Sequence, residues 1–311
     1  MRLVFCGTPR FAVPTLQALI AAGHEIPLVV SQPDRPVGRS QTLTAPPVKE
    51  TAVDAGLEVT QPEKIKNNLE FRARLEAIAP DAIVVVAYGR IIPAWMLALP
   101  RLGCINLHGS LLPKYRGAAP IQWAVAMGET VTGNTTMLLE EGLDTGPILL
   151  QREIAIAPEQ TAADLFDLLA KEGAPLVIET LAGLEDGTIA PKQQDNARAT
   201  LAPILDRKDG QMDFAGRTAT EIWNRWRGFQ PWPGAHTILD GKKLIAHKVR
   251  VAEKVAPGPP GAVDFADHQF LVACAQNTWI EITELQMEGK KRMAASDFLR
   301  GAGLLSGIRL G

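Results

Sequence analysis

Four short, mostly apolar runs, Arg2 to Cys6, Ile26 to Ser31, Ala82 to Ala87 and Gly103 to Leu107, alternate with stretches of helical period. This alternation restricts the fold more than any other property of the chain. A short apolar run without polar alternation is what a strand covered on both faces requires. Amphipathic helices expected over Ala12 to Ala22, in a segment ending near Ala55, and over Leu69 to Ile78 supply that cover. The result is a parallel sheet with crossover helices, an α/β, Rossmann-like domain. Further on, Ala118 to Met127 reads as a helix, Thr132 to Glu140 and Ile148 to Ile156 as two more strands, and Ala162 to Leu184 as a closing helix.

The pattern then changes. Residues 186–209 are polar and carry no period, so an interdomain linker is expected there. Beyond it, Thr218 to Trp226 has helical spacing. Short strand-like runs follow at Ala235 to Leu239, Lys243 to Val251, Ala262 to Phe265, Phe270 to Ala273 and Trp279 to Leu285. Gly and Pro clusters punctuate them, notably Pro257-Gly258-Pro259-Pro260-Gly261, as in a small β-barrel. With 311 residues there is enough chain for two cores. The division read from the sequence is a catalytic domain over 1–188, a linker over 189–205 and a C-terminal barrel over 206–311.

The chain is 46% hydrophobic and 21% charged, an ordinary globular balance, and it begins with too short an apolar stretch for a signal sequence. A cytoplasmic, non-membrane monomer is expected. Cys6, Cys104 and Cys274 lie far apart with no metal-like spacing, so neither a disulfide framework nor a metal is expected, and Cys6 and Cys104 read as strand interior. The first turn, Gly7-Thr8-Pro9, lacks the second glycine of Gly-x-Gly-x-x-Gly, which disfavours a dinucleotide-dependent dehydrogenase.

Chemistry concentrates at the end of the fourth run. Asn106 and His108 are two residues apart on a strand and therefore share a face. At the carboxyl end of such a strand they look into the crevice where α/β folds place ligands. Asp144, in Gly142-Leu143-Asp144-Thr145-Gly146, is able to join them from a loop. An amide donor, an imidazole and a carboxylate suit acyl transfer: one steadies an oxyanion, one moves a proton, one orients or charges the imidazole. Taken singly, each also reads as a structural or turn residue.

The run from Gly103 to Ala124, GCINLHGSLLPKYRGAAPIQWA, together with FCGTPRFA at 5–12, QPDRP at 32–36, VVVAYG at 84–89 and GLDTG at 142–146, closely resembles the folate-dependent formyltransferases along essentially the whole chain. The resemblance implies Asn106, His108 and Asp144 as the catalytic trio. It also implies a folate site for the donor, 10-formyltetrahydrofolate, made by Ser110, Leu111, Leu112, Pro113, Val86, Tyr88 and Ile91. The C-terminal domain is then an OB-like barrel. Within the family the match is to the branch that formylates the amine of charged initiator tRNA.

A tRNA partner directs attention to the basic residues. Residues 206–311 hold 15 Lys and Arg against 12 Asp and Glu, whereas 1–205 hold 17 against 22. Lys248 and the cluster Lys290, Lys291 and Arg292 are expected to face phosphates if the fold gathers them. The 18-residue connection from Gln32 to Lys49 is long for such a fold, rich in proline and biased by Arg35, Arg39 and Lys49. By resemblance it meets the acceptor end, although Ser40-Gln41-Thr42 stands where relatives often carry lysines. In Trp223-Asn224-Arg225-Trp226-Arg227, aromatics interleave with arginines as in a stacking surface, but Trp223 and Trp226 at i, i+3 are expected to pack inward. A formyltransferase for a small amine such as an amino sugar nucleotide, or a non-catalytic tRNA-binding module, remain the alternatives.

Overall fold

A computed structural model describes residues 1–38, 41–253, 257–265, 268–302 and 309–311. In chain order the elements are β1 (Arg2–Gly7), α1 (Val13–Ala21), β2 (Glu25–Val30), β3 (Arg35–Val37), β4 (Thr42–Thr44), α2 (Pro47–Asp54), β5 (Val59–Thr60), α3 (Leu69–Ile78), β6 (Ala82–Val86), α4 (Ala94–Leu97), β7 (Cys104–His108), α5 (Pro120–Ala126), β8 (Val131–Leu138), β9 (Ile148–Ala155) and α6 (Ala162–Glu185). They are followed by α7 (Ala219–Gly228), β10 (His236–Leu239), β11 (Lys242–Ala252), β12 (Val263–Asp264), β13 (Phe270–Ala273), β14 (Trp279–Met287), β15 (Met293–Ala294) and α8 (Ala295–Ala302).

The chain divides into two compact units. The first is Met1–Pro120, Val131–Ala155 and Leu165–Pro203; the second is Ile121–Thr130, Ile156–Asp164 and Ile204–Gly311. Two corrections to the sequence-based division follow. Most of the segment 189–205 is not a free linker: Lys192 bridges to Ile148, and Leu201 to Arg116, so the chain stays bound to the first unit through Pro203. Most of α5 and the residues just before and within the start of α6 pack with the second unit rather than the first.

In the first unit the seven strands run in the order β5-β2-β1-β6-β7-β8-β9. The first five are mutually parallel, and β8 and β9 are antiparallel additions. The parallel strands are buried throughout β6 and β7, which is why they lack polar alternation. One face of the sheet packs Val4, Cys6, Leu28, Val30, Ile83, Val85 and Cys104 against Phe71, Leu75 and Met96. Strand order reverses at β1, which pairs with both β2 and β6, so the crevice opens at the carboxyl ends of β1, β6 and the adjacent β7. Gly7 at that end is required by packing: a Cβ there would stand 2.7 Å from the Phe5 ring and 2.9 Å from Ala12.

The connection over 32–49 contains more order than the sequence indicates, with β3 and β4 forming a short antiparallel hairpin and α2 starting at Pro47. Proline at the first turn of α2 has no amide hydrogen to leave unsatisfied.

The second unit holds an antiparallel sheet in the order β10-β11-β14-β13-β12, with β15 on β14. Its core is Phe214, Ile222, Leu244, Phe270, Val272, Ile280, Ile282 and Leu285, with Trp223 and Trp226 packed against it as expected. The neighbouring arginines are equally committed. Arg227 stacks 4.2 Å over the Trp223 ring and donates to the Gln160 carbonyl, while Arg225 lies 4.7 Å over Phe229. Phe270 is fully buried and makes edge and tilted contacts with Phe265 and Phe298. Phe270→Ala is therefore expected to destabilise this unit by about 3–5 kcal/mol, read from its urea transition. A loss under about 1 kcal/mol would mean that the site collapses around the missing ring.

Candidate active site

The alternation of β7 turns Leu107 toward Gly173 of α6 and places Asn106 and His108 on the opposite side with Cys104, as the sequence spacing requires. β7 is held on both edges, Asn106 opposite Val85 of β6 and Met137 of β8, so neither side chain can slip. Among the described residues the Asn106 amide has no protein hydrogen-bond partner, and it retains 9% exposure. It is a donor at the strand end that remains available to a ligand.

His108 is 6% exposed. Its Nε2 lies 2.9 Å from the Tyr115 carbonyl oxygen. A carbonyl oxygen only accepts, so Nε2 carries a proton and Nδ1 is the nitrogen turned to Asp144, 3.7 Å from Oδ2. That same Oδ2 accepts the Gly117 backbone N–H at 2.8 Å. The three residues named from the sequence are thus an open amide and an imidazole–carboxylate pair.

Three consecutive residues organise the pair: Tyr115 sets the imidazole, Gly117 sets the carboxylate, and Arg116 lies between them. They are pinned to the end of the first unit, with Tyr115 donating from its backbone to Thr200 Oγ1 (2.9 Å), Arg116 to the Thr200 carbonyl (2.9 Å) and Ala202 back to Arg116 (2.7 Å). Gly117 has φ +122°, and a Cβ there would meet the Ala202 carbonyl oxygen at 2.6 Å, so no other residue fits. Arg116, 7% exposed, donates twice to Gln194 Oε1 (3.1 and 2.7 Å) and once to Asn196 Oδ1 (2.8 Å). Gln194 Nε2 in turn donates to the carbonyls of Asp144 (2.9 Å) and Gly146 (2.7 Å). Sequence reasoning missed Arg116 and Gln194. The one available signal for Arg116 was its place in the motif, and Gln194 lay in polar chain with none.

The residues expected to bind folate separate into two groups. The Ser110 hydroxyl is buried and donates to the Lys114 carbonyl, Leu112 is 3% exposed, and Thr135 and Gln151 hold the Ser110 and Leu112 backbones. Val86 is fully buried in β6. Tyr88 is 2% exposed within the core, and its carbonyl accepts from Thr8 and Gln32. The side chains of Ser110, Leu112, Val86 and Tyr88 are therefore turned into the protein, so what these positions present outward is backbone. Burial alternates along this stretch, leaving Ala87, Gly89 and Ile91 exposed, with Ile91 at 87%; Leu111 and Pro113 are partly exposed.

The basic residues also divide. Lys49 Nζ sits 2.9 and 2.7 Å from the two carboxylate oxygens of Asp34, whose carboxyl this bond and Gln61 hold below its usual range. Lys248 and Arg292 both pair with Glu284. These three are not the free cations that the sequence implied. Lys290 and Lys291 are exposed and have no ion pair among the described residues; Arg35 is exposed on β3, and Arg39 lies outside the described residues.

Burial pushes the Cys104 and Cys274 thiols up to about 12 and raises Cys6 as well, so the cysteines are packing groups and not nucleophiles. Among the described residues no group of three or more His, Cys, Asp and Glu is placed to hold a metal ion, and no helix is long and apolar enough to cross a membrane.

Comparison with known proteins supplies a family. Residues 1–181 match the family described as formyl transferase, and residues 204–303 match the formyl transferase C-terminal domain. The methionyl-tRNA formyltransferase of Acidobacterium capsulatum is 67% identical over 311 residues, covering all of both chains. That of Koribacter versatilis is 58% identical, covering all of this chain and 99% of its own. A solved N-formyltransferase from Helicobacter canadensis, in complex with folinic acid and dTDP-3-aminofucose, has a TM-score of 0.66 at 19% identity over 91% of this chain and 98% of its own, a likeness of fold.

Proposed function

The chain belongs to the formyl transferase family, and from that premise we propose that it transfers the formyl group of 10-formyltetrahydrofolate to the α-amino group of the methionine on initiator tRNA. The observation that carries the chemistry is the open Asn106 amide beside an imidazole whose Nδ1 faces a backbone-held carboxylate. The tRNA acceptor rests on full-length identity to enzymes named for it.

The donor is already an activated amide and a neutral α-amine is a good nucleophile, so the amine attacks the formyl carbon directly. A C–N bond forms, negative charge develops on the formyl oxygen, and the bond to folate N10 breaks as a proton passes from the attacking nitrogen to N10. Asn106 donates to the developing oxyanion. His108 moves the proton through Nδ1, with Nε2 fixed on Tyr115. The 3.7 Å separation exceeds direct proton-transfer reach, so His108 and Asp144 act through a bridging water or shorten on substrate binding. Leu111, Pro113 and Ile91 supply apolar contact to the folate, and the backbone near Ala87 and Gly89 supplies polar contact.

We read the C-terminal sheet as an OB-like barrel that takes the tRNA backbone, and the enzyme as a cytoplasmic monomer. Lys290 and Lys291 are the cations best placed for phosphates because no carboxylate among the described residues pairs with them, with Arg35 and Arg39 serving the acceptor end from the segment 32–49. Replacing Lys290, Lys291 and Arg292 together by Ala is expected to flatten the salt dependence of tRNA binding by about one to two units in log K against log salt. Folate affinity should be unaltered. An unchanged slope would remove the cluster from the interface.

The test of the function is an acceptor assay with 10-formyltetrahydrofolate as donor. Charged initiator tRNA should be formylated, while free methionine and an amino sugar nucleotide should not. Preference for the amino sugar would overturn the tRNA assignment and leave the formyl chemistry standing.

A further inference from the structure

We propose that Gln194, oriented by Arg116, is a positioning residue that holds the Asp144 loop in its working conformation. The proposal rests on the assignment of Asp144 to the chemistry made above. Asp144 has φ +50°, in the sparsely populated left-handed region, so restraint of the loop backbone decides where its carboxylate points. The loop is glycine-flanked and its exposed members, Gly142 and Leu143, give it little packing. Gln194 supplies the restraint with one amide, its two N–H groups taking the carbonyls of Asp144 and of Gly146 two residues on.

The amide can point only one way. Its oxygen receives two guanidinium N–H groups from Arg116, which have no acceptor capacity, and its nitrogen meets two carbonyl oxygens, which cannot donate. Arg116 thus fixes the side-chain plane, and its third bond, to Asn196, fixes Arg116. Because Tyr115 and Gly117 on either side contact His108 and the Asp144 carboxylate, the buried Arg116 lets one short segment register both members of the pair. The stretch 194–202 is thereby part of the catalytic apparatus, although Gln194 reaches no reacting atom.

The chemistry predicts which replacements fail. Glutamate at 194 keeps the Arg116 bonds but aims a carboxylate oxygen at two carbonyls, and methionine keeps the length and offers no donor. Steady-state kinetics with both substrates are to be measured on the full chain for Gln194→Glu, Gln194→Met, Asp144→Asn and the double variant Gln194→Glu/Asp144→Asn. Both Gln194 variants are expected to lose about 10- to 100-fold in kcat, the scale of an ångström-level misplacement, with both KM values within about twofold. The double variant should be no slower than Asp144→Asn, because the clamp then has no carboxylate left to aim. A silent Gln194→Met beside an impaired Asp144→Asn would overturn the clamp alone. Multiplying losses, or losses carried by KM, would also overturn it by making the role merely structural. Full turnover in Asp144→Asn would overturn the assignment beneath it.

Discussion

Asn106→Ala is expected to lower kcat by about 10²- to 10³-fold while leaving the affinity for 10-formyltetrahydrofolate within a factor of a few, the pattern of a donor whose bond strengthens as charge develops. The structure separates this outcome from a folding defect. The Asn106 backbone is fixed by β6 and β8, and its side-chain amide has no protein partner among the described residues, so truncation breaks no internal hydrogen bond. The loss should therefore appear without a fall in Tm, and in single-turnover rate as well as in kcat. Asn106→Asp is the sharper companion: it keeps the size and replaces a donor by a negative charge facing the oxyanion, so it should be slower than the alanine variant. Near wild-type turnover in Asn106→Ala would remove Asn106 from the chemistry.

The parts of the fold governed by local period were legible from the sequence. β6, β7, β13 and α3 fall where apolar runs and helical spacing place them, because strands buried on both faces leave no other reading of those residues. The grouping of Asn106, His108 and Asp144 was legible for two distinct reasons. Asn106 and His108 follow from strand alternation, a local rule, whereas the approach of Asp144 is a long-range fact that resemblance supplied and geometry then specified. What was not legible is non-local. Gln194 is 50 residues from Asp144 along the chain, and polar sequence without a period looks like a linker whether or not it is hydrogen-bonded to a site. Ion pairing was illegible for the same reason. Lys49, Lys248 and Arg292 count as free cations in a sequence, and only the folded register brings Asp34 and Glu284 to them. The burial of the Ser110 and Tyr88 side chains was equally illegible, because it depends on residues far along the chain that pack around them.

The second large effect concerns charge at fixed shape. In Asp144→Asn the amide oxygen can keep the position of Oδ2, because the Gly117 N–H there requires an acceptor, and the two Gln194 bonds go to backbone carbonyls that the substitution does not touch. Loop and side chain should stay in place, and only the negative charge opposite His108 Nδ1 is lost. That charge matters most when the attacking nitrogen has formed its new bond and still holds its proton, since positive charge then develops beside a nitrogen that must pass the proton on. His108 has no alternative orientation with which to compensate, because Nε2–H is committed to the Tyr115 carbonyl. The expected loss is about 10²- to 10⁴-fold in kcat, the range for a group acting in proton transfer, at least as large as for Asn106→Ala. Folate and tRNA binding should be unchanged when measured at equilibrium. If Asp144→Asn turned over like the parent protein, the carboxylate would be a turn residue, and the 3.7 Å approach of His108 would carry no catalytic meaning.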